Sequence, residues 1–165
     1  MTAETDSETT TDARWVGQAV QLAAGNVDSG GGPFGALVLR GDRLVAGGTN
    51  LVTTDLDPTA HAEVTAIRRA CRALDTFSLA GCVLVSSCEP CPMCLAAALW
   101  ARLDRVLYAA DREDAARAGF DDRAFHDLFR EPESRPWPTA VRQVPLGGRN
   151  APFERWLAKP DRVEY

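Results

Sequence analysis

The chain has 165 residues and a mass of 17.8 kDa, and with 45% hydrophobic and 25% charged residues it is rich enough in apolar side chains to build one core without disulfides, which excludes a disordered or fibrous polymer. Basic residues number 18 against 23 acidic, a net charge of -5 with no basic run, so a small or neutral partner is expected and a nucleic acid is not. Residues 2 to 12 carry neither the basic start nor the apolar run of a targeting peptide, and the longest apolar run, Leu95 to Ala101, is too short to span a bilayer. The expectation is a cytoplasmic protein with a disordered acidic lead-in over residues 1–12 and a single domain over 13–165.

From Asp12 to Asn26, Trp15, Ala19, Leu22 and Ala23 recur at helical steps, which predicts an amphipathic helix capped by Thr11 or Asp12. Gly30-Gly31-Gly32-Pro33 ends it. No Gly-Lys-Ser/Thr follows that run, so it is read as a hinge or a close backbone approach to a pocket rather than a phosphate loop. Phe34 to Arg40 and Leu44 to Thr49, divided by Gly41-Asp42, predict a β-hairpin. A helix is expected from Ala60 to Leu74, a strand over Cys82 to Ser87, a helix over Cys91 to Leu103, a strand over Arg105 to Ala110 and a helix over Asp111 to Ala118. A helical stretch to Arg130, a proline-broken connection from Pro132 to Pro138, an edge strand over Thr139 to Val144 and a short closing helix over Phe153 to Ala158 complete the reading. Strands alternating with helices imply an α/β sandwich in which ligand sites gather at the carboxyl ends of strands.

The chemistry concentrates in two segments. Cys91 and Cys94 stand three apart, so one helical turn sets them about 5–6 Å apart between Cβ atoms. Pro92 suits a helix start, where the N-terminus also favours thiolate over thiol. With His61 these cysteines form a three-ligand set of the kind zinc takes in catalytic rather than structural sites, and Glu63 is left free to move protons. Residues two apart on a regular helix diverge by about 200°, so His61 and Glu63 can share a site only where their helix begins. Five cysteines, three of them between Cys88 and Cys94, fit metal binding better than disulfides. Two blander readings stand beside this one: a redox-active Cys-x-x-Cys, and a structural zinc knuckle with a fourth ligand from Cys71, Cys82, Cys88 or His126. Cys88 is read as packed behind the site, and His126 as a surface or core histidine. Phe34 and Trp100 are either core aromatics or stacking platforms for a planar base.

His61-Ala62-Glu63 followed by Pro90-Cys91-Pro92-Met93-Cys94 matches the signature of zinc nucleobase deaminases. Through Gly31 to Ala36, Asn50, Asp57 to Arg68, Ser87 to Cys94, Ala118-Gly119-Phe120-Asp121-Asp122 and a terminal Tyr165, the chain resembles the cytidine deaminase superfamily and, within it, the small bacterial guanine deaminases. The resemblance implies a three-layer sandwich with a central mixed five-stranded sheet and helices on both faces. It also implies a homodimer that exchanges the C-terminal segment 131–165. For chemistry it implies zinc at His61, Cys91 and Cys94, Glu63 as proton carrier, and a purine pocket with Asn50, Asp121, Asp122 and Tyr165. The implied reaction is hydrolysis of guanine to xanthine and ammonia. Deamination of an amino-triazine, guanosine or cytosine, a tRNA adenosine deaminase, and a non-catalytic zinc module are the rivals. The chain departs from the family in a longer Pro-rich connection after Gly119 and a Pro160-Asp161-Arg162-Val163 tail before Tyr165.

Overall fold

The computed structural model describes residues 3–133 and 136–164, with side chains from Thr10 onward. Its sheet has four strands in the order β2-β1-β3-β4. Strand β1 (Gly32–Arg40) runs antiparallel to β2 (Arg43–Asn50) and to β3 (Cys82–Cys88), and β3 runs parallel to β4 (Arg105–Ala110). The hairpin is tight because Gly41 takes the left-handed conformation, φ 56°, that its turn needs.

Alternation along the strands separates two cores. Leu37, Leu39 and Val85 face Trp15 and Ala19 of α1 (Ala3–Asp28), whereas Ala36, Val38, Cys82 and Leu84 face Ala62, Ala66 and Ala70 of α3 (Ala62–Ala73) and Ala98 of α4 (Pro92–Trp100). Helices thus cover both faces, and the central strands β1 and β3 read as nearly continuous apolar runs because they are enclosed on both sides. Between β2 and α3 lies the single-turn α2 (Val52–Asp55).

Two glycines let the helices sit so close. A Cβ on Gly35 would come within 2.7 Å of the Ala19 carbonyl oxygen, and one on Gly48 within 2.4 Å of the Ala62 carbonyl oxygen and the Ala66 amide nitrogen. Since Ala62 and Ala66 flank Glu63, the seating of α3 on Gly48 also positions the site. Gly48→Ala is expected to destabilise the fold by about 1–3 kcal/mol, the usual overpacking range. A urea midpoint unchanged from the wild type would contradict this.

Two expectations are corrected. The helix α1 begins at Ala3, not at a cap near Thr11 or Asp12, and so takes in residues expected to be disordered. No glycine or proline stands between Ala3 and Thr11, and extending an existing helix costs far less than starting one. The described sheet has four strands rather than five: Thr139 to Val144 forms no strand and is exposed throughout. Its Thr and Val content favours a strand, but a strand exists only where a neighbour completes its ladder, and Pro138 and Pro145 close the segment at both ends.

Past β4 the chain forms α5 (Arg112–Arg117), opened by a capping box in which the Asp111 side chain accepts from the Asp114 amide at 2.8 Å, then α6 (Arg123–Arg130) and α7 (Ala151–Ala158). No described helix is long and apolar enough to cross a membrane.

Candidate active site

His61 and Cys91 occupy equivalent places, each the N-cap of its helix with extended backbone (φ -64°, ψ 156° and φ -64°, ψ 167°). At a cap the side chain leaves the helix spiral, which resolves the divergence of His61 from Glu63. Pro92 takes the first helical position of α4 and Cys94 the third, so both sulfurs reach one point. His61 Nδ1 lies 3.6 Å from Cys91 Sγ and 3.5 Å from Cys94 Sγ, and the two sulfurs are 3.6 Å apart. Tetrahedral ligation at Zn–S about 2.3 Å and Zn–N about 2.0–2.1 Å requires edges of about 3.8 Å between sulfurs and about 3.6 Å between sulfur and nitrogen. The triangle fits zinc within a few tenths of an ångström. Among the described residues it is the cluster of this kind that the fold assembles.

The electrostatics agree with a cation site. A hydrogen bond with Cys94, then one with His61, holds the Cys91 thiol well below the usual thiol range despite burial. The same sharing of a proton with Cys91, reinforced by burial and by Glu63, pushes Cys94 up. His61 is raised above its ordinary value, first by its hydrogen bond with Cys91.

Glu63, 5% exposed, lies beside the triangle. Ser86 Oγ donates to its Oε1 at 3.0 Å and Cys94 Sγ to its Oε2 at 3.4 Å. Burial raises its carboxyl above the ordinary value and outweighs those two hydrogen bonds, which lower it. A carboxylate poised to take up a proton next to a metal-ready triad is a general-base geometry.

His61, Glu63 and Cys91 line a cavity of about 690 Å³. Its lining also includes Phe34, Asn50, Cys88, Glu89, Arg112, Asp121, Asp122 and the rings of Phe120, Phe125 and Phe129. That volume is ordinary for a small-molecule site.

Residues 9–110 match the family model described as the cytidine and deoxycytidylate deaminase zinc-binding region. The chain belongs to that family. Guanine deaminase of Bacillus subtilis is 49% identical over 150 residues, 90% of this chain and 95% of that protein. The X-ray structure of guanine deaminase from Bacillus subtilis superposes with a TM-score of 0.87 at 44% identity, covering 93% of this chain and 98% of that one. A crystal structure in complex with 2,6-diaminopurine matches with a TM-score of 0.64 at 37% identity, over 68% of this chain and 62% of that chain. The protein is a hydrolytic deaminase of the zinc-binding type.

Within this deaminase the other residues singled out from the sequence fall unequally. Phe34 reaches the cavity and meets Phe120 edge to face, ring centroids 5.0 Å apart. Asn50 reaches it too; its Oδ1 accepts from the Val52 amide at 3.3 Å, and its backbone carbonyl accepts from Asn26 Nδ2 at 3.0 Å. The acidic pair divides: Asp121 is exposed and held by Arg123 through Nε at 2.8 Å, which keeps its carboxyl down at about 2, whereas Asp122 is three-quarters buried with Oδ2 3.3 Å from His126 Nε2. His126 is thus a buried neighbour of the pocket wall. Cys88, expected behind the site, instead reaches the cavity lining; its thiol donates to the Asp111 carbonyl at 3.7 Å, away from the triangle, and burial pushes it up to about 11.

Trp100 is a correction. It ends α4, 65% exposed, and does not line the cavity. Nine residues of helix carry it about 13 Å along the axis from Cys91. Tyr165 lies outside the described residues. Sequence reasoning missed Ser86, the Phe120, Phe125 and Phe129 wall, and the Glu89–Arg112 pair, in which Arg112 Nε and its backbone amide both donate to Glu89 Oε2. For Ser86 a signal existed: a polar residue on an otherwise apolar face of β3.

Proposed function

We propose that the chain hydrolyses guanine to xanthine and ammonia. The observation that carries this reading is the extent of the likeness to guanine deaminase: 150 aligned residues cannot fit within residues 9–110, so it continues past the shared zinc region into the α5–α6 lobe that bears Asp121 and Asp122. Zinc held by His61, Cys91 and Cys94 would supply a water whose pKa falls from 15.7 to about 7. As the oxygen of the attacking water bonds carbon 2, Glu63 takes one of its protons and passes it to ring nitrogen 3; Glu63 then takes the proton of the new hydroxyl and hands it to the amino group, so that the carbon–nitrogen bond breaks, the carbonyl of xanthine forms and ammonia leaves. Burial of Glu63 keeps bulk water from competing for these protons. Phe34 and Phe120, packed edge to face, form one aromatic wall for the base, where aromatic contact contributes about 1–3 kcal/mol. Asp122 accepts hydrogen bonds from the N–H edge of guanine, with Asn50 and Asp121 nearer the rim. Adenine lacks the ring N–H on that edge, and a site built around such a bond rejects the analogue without it by about 10⁴–10⁵.

An ammonia-release screen of the purified protein over guanine, adenine, cytosine, guanosine and amino-triazines tests the assignment. Guanine is expected to lead, with adenine inert. Cytosine or an amino-triazine in first place would refute the guanine reading while keeping the deaminase, and release from tRNA alone would favour the adenosine enzyme, against which the net charge of -5 argues.

The working unit is proposed to be a cytoplasmic homodimer that exchanges its C-terminal segment. Every described residue from Glu131 to Glu164 is exposed, including Phe153 at 67% and Leu157 at 65%, an apolar helix face that a twin subunit would bury. Tyr165 would then close the pocket over the base. Deleting residues 161–165 is expected to leave a folded, zinc-loaded protein whose guanine turnover falls at least tenfold. Full turnover in that truncation would remove the lid, and a sedimenting mass near the monomer's 17.8 kDa would remove the exchange.

A further inference from the structure

Alternation on β3 turns Cys82, Leu84, Ser86 and Cys88 toward the face covered by α3 and α4. At this wholly enclosed position the pattern calls for an apolar side chain, and Ser86, 0% exposed, is a hydroxyl instead. A buried hydroxyl survives there only if bonded. Ser86 Oγ donates to Glu63 Oε1 at 3.0 Å and accepts from the Cys88 amide at 3.4 Å. A hydroxyl has one proton, and this one goes to Glu63. The long contact to Cys88 alone would not account for a serine, since it uses only a lone pair.

The second support of Glu63, from Cys94 Sγ to Oε2, depends on a thiol proton. Cys94 gives up that proton on becoming a metal ligand and can then donate nothing. Ser86 remains. We propose that Ser86 is a positioning residue that anchors Oε1 of Glu63 and so aims Oε2 at the metal centre when Cys94 no longer holds it. By reaching the Cys88 amide as well, the same hydroxyl ties α3 to the strand end leading into Cys91. This inference rests on the reading of Glu63 as the proton carrier. Proton transfer needs heavy atoms within about 2.6–3.2 Å, and a misplacement of about 1 Å costs on the order of 10²-fold.

Ser86→Thr and Ser86→Val have the same shape, suit a strand equally, and differ in the hydroxyl alone. The threonine variant is expected within about threefold of wild-type kcat. The valine variant is expected to fall about 10–100-fold in kcat with KM within about twofold, one zinc per chain, and Glu63 displaced from its rotamer in a crystal structure. Equal turnover of the two variants, or zinc lost from the valine variant alone, overturns the proposal, the latter by showing a purely structural role. If the added methyl prevents both from folding, Ser86→Ala against the wild type carries the same comparison. Glu63→Gln, assayed alongside, separates the two ideas: an active Glu63→Gln refutes the role of Glu63 itself, whereas an inactive one with a fully active Ser86→Val refutes only Ser86.

Discussion

Glu63→Gln lowers turnover by at least about 10²–10⁴, the span attributed to general acid–base catalysis, and leaves zinc content and fold intact. The amide has the shape of the carboxyl and can still accept from Ser86 Oγ, which now bonds Oε1 at 3.0 Å. It cannot take a proton from water or return one to the amine. Stability supplies an independent check in the metal-free protein. Because burial raises the Glu63 carboxyl, the folded state keeps a proton that the unfolded chain has released above its ordinary value of 4.5, and stability falls as pH rises through that window. The amide has no such penalty, so metal-free Glu63→Gln unfolds no earlier than the wild type at neutral pH. Near-normal ammonia release by the zinc-loaded variant would end the assignment.

Cys94→Ala abolishes stoichiometric zinc and with it all turnover. Its sulfur is one corner of the triangle with edges of 3.5 and 3.6 Å, and no described cysteine or histidine is placed to replace it. Loss of a ligand exceeds the roughly 10–100-fold in affinity that loss of an outer-shell partner costs. Cys88→Ala is the matched control. That thiol, only three residues before Cys91, points at the Asp111 carbonyl and stands outside the triangle of His61, Cys91 and Cys94. Elemental analysis should therefore find one zinc per chain in Cys88→Ala and almost none in Cys94→Ala, and the opposite outcome would reassign the ligands.

The candidate metal centre was readable from sequence because its parts are local. A cap histidine with Glu63 two residues on, and Cys-Pro-Met-Cys at a helix start, need only helix geometry to be understood, and both segments were expected to begin helices. Trp100 failed for lack of the third dimension: aromatic character says a ring can stack, not whether its helix runs toward the pocket or away from it.

What the sequence alone determined about this protein is the α/β class, the hairpin, the helix starts that carry His61 and Cys91, and the donor chemistry of the triangle, since each follows from residue type and short spacing. Only the tertiary structure decided that four described strands form the sheet, that Asp122 rather than Asp121 is drawn into the wall beside His126, and that Ser86 reaches Glu63. The reason is physical. Strand pairing and buried hydrogen bonds join residues tens of positions apart, 23 in the case of Ser86 and Glu63, and their energy depends on a neighbour that local propensity does not encode.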